Sequence, residues 1–432
     1  MLSGAKHLQY RLENKQIQIL RFAQDDSCGD FFFSLGMTGC MILPMQAPLL
    51  LLLLVLTAAF PGLCPAAQKS FDDIARAAEA ARSADRLQDA IRLYSQGVNL
   101  HPSWQDGWWW LGSLYYEQDR FPEAARPLAC FVGLAPKPGP AYAFLALSEY
   151  ETKDYAGALE HFQQWALAGS PGTEELIDVA SFHWALLLTR ESHFVQALYL
   201  LTAKAQRRGG SPALTEAMGL ASLRMARLPE DCPPDWRERV WLAGKAAFFA
   251  SVVPHQFDRA QDYEDKLLLH YDQAPDVHYF RGTLFGFQKK REQAKTEYRQ
   301  ELRISPQHAP AMMELARLDL DDGQLAEALL LAKRADGLEP KNPAAHHILG
   351  QALFAGGHLQ EGARELETAR QMAPDSASIR FHLMTVYQKL GRTKDAEREM
   401  AVFETLKGKR EVLLPPEELQ ELLHDQQPGQ RQ

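Results

Sequence analysis

The sequence predicts an all-α fold, a solenoid of stacked helix pairs, and two observations lead to this prediction. Prolines recur at a spacing of 34 residues or a multiple of it, and small residues keep the same spacing. A fixed period of this length means that one unit cannot bury its apolar face alone, so neighbouring units must stack. The positions concerned are Pro102, Pro136, Pro306, Pro340 and Pro374, and Ala90, Ala124, Ala158, Ala260, Ala294, Ala328, Gly362 and Ala396.

The unit that begins at Gln105 shows what each position does. Gly112 and Ala124 place small residues where the two helices of a pair cross closely. Pro136 ends the second helix, because proline lacks an N–H group. The unit resembles a tetratricopeptide repeat (TPR), on the residues Trp108, Leu111, Gly112, Tyr115, Ala124, Leu128, Phe131 and Pro136. This resemblance implies a right-handed α-solenoid of stacked TPR helix pairs, with the first helix of each pair (helix A) lining a concave groove.

The same frame predicts seven units in two blocks. The N-terminal TPR block covers residues 71–208 and the C-terminal TPR block covers residues 273–407. Residues 209–272 between them are predicted to be a divergent, irregular helical segment, because residues 228–234 contain three prolines that interrupt a helix. Helices are expected there over residues 213–227, 236–252 and 257–270.

The two ends of the chain carry predictions of another kind. Residues 1–36 are set aside as an extension from a misassigned start codon. Residues 37–66 are predicted to be a signal peptide or an N-terminal membrane anchor, because residues 41–64 carry no charge and include six consecutive leucines. Cleavage after Ala66 gives an exported, periplasmic or extracellular protein, whereas an uncleaved segment associates with a membrane through residues 41–64. Residues 408–432 are predicted to be a capping helix and a disordered tail.

Composition and motifs exclude several classes of function. The net charge is −9 and the basic clusters are short, so no nucleic-acid partner is expected. The sequence lacks the motifs of nucleotide binding, zinc peptidases and serine hydrolases, so neither a catalytic residue nor a cofactor is expected. His346 and His347 are adjacent, and the residues four positions further on are Gly350 and Gln351, so no metal site is expected.

The resemblance implies a binding site in the groove. Aromatic residues and one histidine lie at helix A positions that face the groove in TPR proteins, and they are predicted to bind a protein or peptide segment of unknown identity: Trp109, Tyr116, Tyr150, Tyr279, Phe287, His347 and Phe381. The alternative for part of this set is packing within or between repeats. Some TPR domains clamp a C-terminal carboxylate with Lys and Asn, but His347 and Gln351 occupy those positions here, so such a clamp is not expected.

The predicted function is that of an exported scaffold for protein–protein interaction, with no catalysis of its own. One alternative is an accessory subunit or minor enzyme of cell-envelope processing, with its activity in residues 209–272, where Asp231, Asp235, His255 and His270 are the polar candidates. Another alternative is a polysaccharide-binding solenoid that uses the run Trp108, Trp109 and Trp110.

Overall fold

The structure is a computed structural model that describes residues 70–252 and 256–409, without the side chains of residues 407–409. Residues 1–69, 253–255 and 410–432 lie outside it. The predicted extension (1–36), the signal or anchor segment (37–66), His255 and nearly all of the predicted cap and tail (408–432) therefore lie outside the described residues.

Residues 70–252 and 256–409 form 19 α-helices and no strand. The chain divides into two compact units between His183 and Trp184, hereafter unit 1 and unit 2. The helices up to the division are α1 (Phe71–Ser83), α2 (Leu87–Leu100), α3 (Gln105–Glu117), α4 (Phe121–Leu134), α5 (Ala141–Glu151), α6 (Tyr155–Leu167) and α7 (Glu174–Arg190), within which the division falls.

Unit 2 contains the remaining helices. They are α8 (Phe194–Arg208), α9 (Pro212–Ser222), α10 (Arg237–Ser251), α11 (Phe257–Tyr271), α12 (Val277–Phe287), α13 (Arg291–Ile304), α14 (Ala309–Asp321), α15 (Leu325–Leu338), α16 (Pro343–Ala355), α17 (Leu359–Met372), α18 (Ala377–Lys389) and α19 (Thr393–Lys409). The prediction of an all-α repeat solenoid is confirmed, because helix pairs on the 34-residue period fill both ends of the described chain. The predicted block boundaries at residues 208 and 273 stay predictions.

The turn inside each helix pair recurs at the same 34-residue spacing as the prolines. One residue of this turn has a left-handed backbone conformation, and only some of these residues are glycines. They lie 34 residues, or four times that distance, apart: Asp85, Asp119, Lys153, Lys289, Gly323, Gly357 and Gly391. Residues 319–323 form an acidic run that ends at Gly323, and Gly323 lies in the turn between α14 and α15.

The small residues lie where the helices of a pair cross. A Cβ atom on Gly112 would lie 2.7 Å from Cγ of Leu128, and one on Gly350 would lie 2.6 Å from Cγ of Leu366. Ala124 is completely buried. These close approaches confirm the role predicted for Gly112 and Ala124.

Residues 209–272 combine regular helices with an irregular connection. Two 3-10 turns, Pro229–Asp231 and Pro234–Trp236, join α9 to α10. The two helices touch backbone to backbone, because a Cβ atom on Gly244 would lie 1.9 Å from the carbonyl oxygen of Thr215. α10 also packs against α11. In residues 70–252 and 256–409, no helix is both long and apolar enough to cross a membrane.

Candidate functional site

The A helices of unit 2 share one half-exposed face. They are α12, α14, α16 and α18, and their residues at the positions predicted to face the groove are partly accessible to solvent, whereas Leu284, Leu315 and Leu349 on the same helices are buried. We define the A-helix face by Tyr279, Thr283, Phe287, Met313, Arg317, His347, Gln351, Phe354, Phe381 and Thr385. Four members of the predicted site, Tyr279, Phe287, His347 and Phe381, belong to this face.

Two aromatic rings at the C-terminal end of the face share one support. Phe354 on α16 and Phe381 on α18 both pack against the buried cluster that contains Leu383 and Met384. The ring of Phe381 also lies 5.8 Å from the ring of Phe403. Because buried residues hold both rings from below, their exposed edges form a rigid apolar surface, which binds a partner at a low cost in conformational entropy.

A histidine pair and a glutamine lie on the same two helices as these rings, α16 and α18. Nε2 of His347 is 3.0 Å from Nδ1 of His382, and Nδ1 of His382 is 2.9 Å from the carbonyl oxygen of Ser378. The amide nitrogen of Gln351 donates to Nε2 of His382 at 2.9 Å. This network suits two neutral imidazoles. Burial, together with the neighbouring His382, holds the pKa of His347 well below its ordinary value.

Sequence reasoning did not identify His382 as a member of this cluster. His382 lies one repeat plus one residue after His347, and its ring turns back towards the preceding A helix, with the ring centroids of the two histidines 4.9 Å apart. A search restricted to equivalent repeat positions passes over it. The spacing of 35 residues is the signal that could have revealed the contact.

Tyr279 marks the other end of the face. Its ring lies 5.8 Å from the ring of Tyr298 and 4.9 Å from the ring of His308. The guanidinium group of Arg224 lies 5.5 Å from the same ring, within the range of a cation–π contact. These neighbours hold the ring of Tyr279, which remains partly accessible to solvent.

The one cation of the A-helix face is already compensated. Arg317 donates hydrogen bonds of 2.9 and 3.2 Å to Oε2 of Glu314, whose charge raises the pKa of Arg317 further. Asp321 lies 3.9 Å away on the next turn of α14. A neutralised arginine does not clamp a free carboxylate, which agrees with the absence of the Lys and Asn pair from the sequence.

The predicted residues of unit 1 are packed more deeply. Tyr116 is 5% exposed and its ring meets Phe144 at 5.0 Å, while Tyr150 is 9% exposed and meets His183 at 4.8 Å. Trp109 is half-buried, with Phe144 at 5.7 Å and Phe131 at 5.4 Å. For Tyr116 and Tyr150 this burial favours the packing alternative. Their role in binding a partner stays a prediction.

The three consecutive tryptophans do not form a flat platform for a sugar ring. The indole Nε1 of Trp108 donates to the carbonyl oxygen of Pro102 at 2.8 Å. Trp110 lies under the guanidinium group of Arg82 at 3.7 Å, and Trp109 packs towards α4 and α5. Successive residues of a helix point about 100° apart, so the three rings serve different contacts.

The described polar candidates of residues 209–272 lie on different elements, the α9–α10 connection and α11. Asp231, Asp235 and His270 are exposed, and His255 lies outside the described residues. The buried carboxyl group of this segment is Glu264, at 1% exposure. Burial raises the pKa of Glu264 to about 7, against the opposing charge of Arg281. A carboxyl group so enclosed has no route to a substrate.

Comparison with known proteins agrees with the repeat geometry. Residues 75–130 match the family model of the tetratricopeptide repeat. The chain is 38% identical over 80 residues to the TPR repeat-containing thioredoxin TTL4 of Arabidopsis thaliana, covering 18% of this chain and 12% of that protein. It is 26% identical over 234 residues to cellulose synthase 1 operon protein C of Komagataeibacter xylinus, covering 50% of this chain and 17% of that protein. The chain thus spans less than a fifth of either relative.

Solved structures of TPR proteins are also similar. MamA from Desulfovibrio magneticus RS-1, from residue 41 of that protein, matches with 18% identity and a TM-score of 0.35 over 39% of this chain and 97% of MamA. YrrB, described as a TPR protein with an unusual peptide-binding site, matches with 18% identity and a TM-score of 0.34 over 44% of this chain and 94% of YrrB. Neither likeness assigns a function to this chain.

The family assignment rests on sequence and geometry together. The matched segment contains Trp108, Gly112 and Ala124, and the helix pairs from α12 to α19 keep the same 34-residue spacing of turns and crossing points. A repeat of this kind is typical of scaffolds for protein–protein interaction. Residues 75–130 therefore match the tetratricopeptide repeat, and the helix pairs from α12 to α19 repeat the same spacing.

Proposed function

We propose that this protein is a scaffold that binds an internal segment of a partner protein along the A-helix face of unit 2. The observation that carries the proposal is the set of supported, partly exposed rings of Tyr279, Phe354 and Phe381, with the hydrogen-bonding residues His347 and Gln351 on the same face. Rigid aromatic anchors beside a few polar groups are the usual chemistry of peptide recognition.

The face also limits what kind of segment fits. Its arginine is neutralised by Glu314, so neither an acidic segment nor a free C-terminal carboxylate gains a strong ion pair. We expect apolar or aromatic partner side chains to pack against Phe354 and Phe381. We expect the amide oxygen of Gln351 to accept a hydrogen bond from the partner backbone.

A direct test selects binders of the full-length protein from a library of displayed peptides. Each peptide carries flanking residues on both sides, so that it mimics an internal segment. The selected peptides are then measured by fluorescence anisotropy against Phe381→Ser and Gln351→Ala. Each variant is expected to weaken binding at least about tenfold, because removing one interface anchor typically costs 1–2 kcal/mol or more. Circular dichroism checks that both variants keep their helices.

A matched control comes from the B helices. Leu330 on α15 is a large apolar residue with 55% exposure, outside the A-helix face. Leu330→Ser therefore removes a comparable apolar surface, and peptide affinity should stay unchanged. Equal losses for Leu330→Ser and Phe381→Ser would mean that binding is not located on the A-helix face.

We further propose that the protein is exported and acts outside the cytoplasm. The uncharged residues 41–64 with their six leucines support this proposal. N-terminal sequencing of the protein recovered from cell fractions tests it. A mature chain that begins at Ala67 in the soluble extracytoplasmic fraction is expected, an intact N-terminus in the membrane fraction indicates an anchor, and recovery from the cytoplasm contradicts export.

A catalytic role receives no comparable support. The alternative enzyme site in residues 209–272 offers exposed Asp231 and Asp235 on one connection and a fully enclosed Glu264 on α11. We therefore propose binding without catalysis.

A further inference from the structure

Three positions recur wherever one repeat of unit 2 meets the next. One lies late in the second helix (helix B) of the preceding pair. Another is the fourth residue of the next repeat, on its helix A, and the third lies on helix B of that same repeat. At the α13–α14–α15 junction they are Leu302, Met312 and Leu331, which belong to or pack against one apolar core cluster. One repeat later, exactly 34 residues on in each case, they are Asp336, His346 and Glu365.

The junction after that one pairs two cations with one carboxylate. Glu399 lies 2.5 Å from Arg370 and 2.7 Å from Arg380, so both of its oxygens accept from a guanidinium group. Arg370, Arg380 and Glu399 therefore satisfy one another. Asp336, His346 and Glu365 reverse this balance, because two carboxylates face a single imidazole.

The histidine of this triad is oriented like a metal ligand. Its Nε2 lies 3.1 Å from the carbonyl oxygen of Pro340 and donates to it. This bond leaves Nδ1 directed at Oε2 of Glu365, at 2.8 Å, and Oδ1 of Asp336, at 2.9 Å. A backbone carbonyl that accepts from the second ring nitrogen is the usual support of a metal-bound histidine.

The carboxylate of Asp336 provides an independent observation. Its Oδ1 atom is buried and accepts no hydrogen bond within the described chain, although Nδ1 of His346 is so near. A proton on Nδ1 forms its hydrogen bond with Glu365 and leaves this oxygen unsatisfied. A buried unpaired carboxylate oxygen is costly.

We propose that Asp336, His346 and Glu365 bind a divalent transition-metal ion, with Zn²⁺ as the ion that best fits one imidazole and two carboxylates. The three donor atoms lie within 4.8 Å of one another. In a tetrahedral site with bonds of about 2.0 Å, ligand atoms are roughly 3.3 Å apart, so small adjustments of the three side chains admit the ion. A fourth position is left for water or for a group from a partner.

The ligands come from three different helices. Asp336 lies on α15, His346 on α16 and Glu365 on α17, so the ion would join one repeat to the next. Sequence reasoning looked for a second ligand four residues along the helix of His346 and found Gly350. The carboxylates come instead from the helices on either side, which only the stacked fold brings together. This inference does not depend on the proposed peptide-binding function.

Zinc titration of the full-length, EDTA-treated protein tests the proposal by isothermal titration calorimetry. Wild type is expected to bind one Zn²⁺ at this site and to unfold at a higher temperature with zinc present. Asp336→Leu and Glu365→Gln each remove a ligand and should weaken this binding at least about tenfold, as even changes outside the ligand set commonly do. Two variants are used because one substitution alone could unfold the junction.

The chain supplies its own control. His278 and Glu297 lie at equivalent positions of an earlier junction, 2.5 Å apart, where Leu268 replaces the second carboxylate. Glu297→Gln should therefore leave zinc affinity unchanged, while Asp336→Leu gives the later junction the composition of the earlier one. Absence of zinc binding by wild type, or binding that persists in both Asp336→Leu and Glu365→Gln, overturns the proposal.

Discussion

The indole Nε1 of Trp108 donates a hydrogen bond to the carbonyl oxygen of Pro102, 2.8 Å away. Two later repeats make the same contact with other side chains at the same position. His346 donates to Pro340 and Arg380 donates to Pro374. Where the position holds Met312, which has no donor, Arg334 reaches Pro306 from helix B instead. The proline that ends one repeat is thus tied to the repeat that follows it.

Loss of this hydrogen bond should weaken unit 1. In Trp108→Phe the ring remains but the N–H donor is gone, so the Pro102 carbonyl must be satisfied by water. We expect a decrease of about 1 kcal/mol in the free energy of unfolding, measured by urea denaturation. An unchanged unfolding free energy would show that solvent replaces the bond without cost.

The contact between α9 and α10 leaves no room for a methyl group. Gly244→Ala places a Cβ atom 1.9 Å from the carbonyl oxygen of Thr215, so the helices must separate. A loss of about 3 kcal/mol or more is expected in thermal or urea unfolding. Gly286→Ala is the control, because its Cβ atom would meet only the hydroxyl of Tyr298, at 3.9 Å, and helix propensity favours alanine by up to about 1 kcal/mol. Similar effects of both variants would contradict the close crossing.

Glu264 should make unit 2 less stable as pH rises. Burial raises its folded-state pKa to about 7 from an ordinary 4.5, with Arg281 and Lys290 opposing the shift and Asp265 and Glu297 adding to it. The folded state therefore holds the proton more tightly, and its advantage declines between pH 4.5 and 7. Glu264→Gln removes this dependence and should stabilise the protein above pH 7 by up to about 3 kcal/mol.

The Glu264 prediction is checked by urea unfolding at a series of pH values. Wild type and Glu264→Gln should be alike at pH 4 and diverge towards pH 7, after which the difference stays constant. Parallel curves over the whole range would mean that Glu264 is ionised in the folded state as easily as in the unfolded state.

Acid should destabilise unit 2 through His347 on the A-helix face. The pKa of His347 is held well below its ordinary value, 6.5, by burial and by His382, so the folded cluster favours neutral imidazoles. Stability from this group is fully present above pH 6.5 and declines as pH falls below it. The free energy of unfolding, measured in urea, should therefore fall from pH 7 to pH 5 in wild type. His347→Gln should flatten this dependence, and an equal pH dependence in the variant would place its origin elsewhere.

The sequence was sufficient for the features that repeat. Proline spacing located the ends of the helix pairs, and Gly112 and Ala124 marked a crossing that the structure confirms, because each depends on contacts within one unit. The candidate site was predicted only in part. Tyr116 and Tyr150 occupy groove positions of the frame, yet Phe144 and His183 from the following A helices cover their rings. Whether such a ring is covered depends on the size of the side chain that the next repeat places against it.

Contacts between repeats explain the other omissions. His382 joins His347 across 35 residues, and Asp336 approaches His346 from the preceding pair. Neither contact follows from helical periodicity, which relates residues three or four positions apart. Leu302 and Asp336 occupy the same position in successive junctions. Comparing such positions residue by residue reveals where a polar side chain replaces an apolar one.

Photo-crosslinking tests the central claim, binding along the A-helix face, most directly. Benzoylphenylalanine is introduced in place of Thr385 on α18, beside Phe381, or in place of Leu330 on α15, and each protein is irradiated with the selected peptide. The predicted result is a covalent adduct at position 385 that excess unlabelled peptide suppresses, with none at position 330. Adducts at position 330 and none at position 385 would contradict the claim.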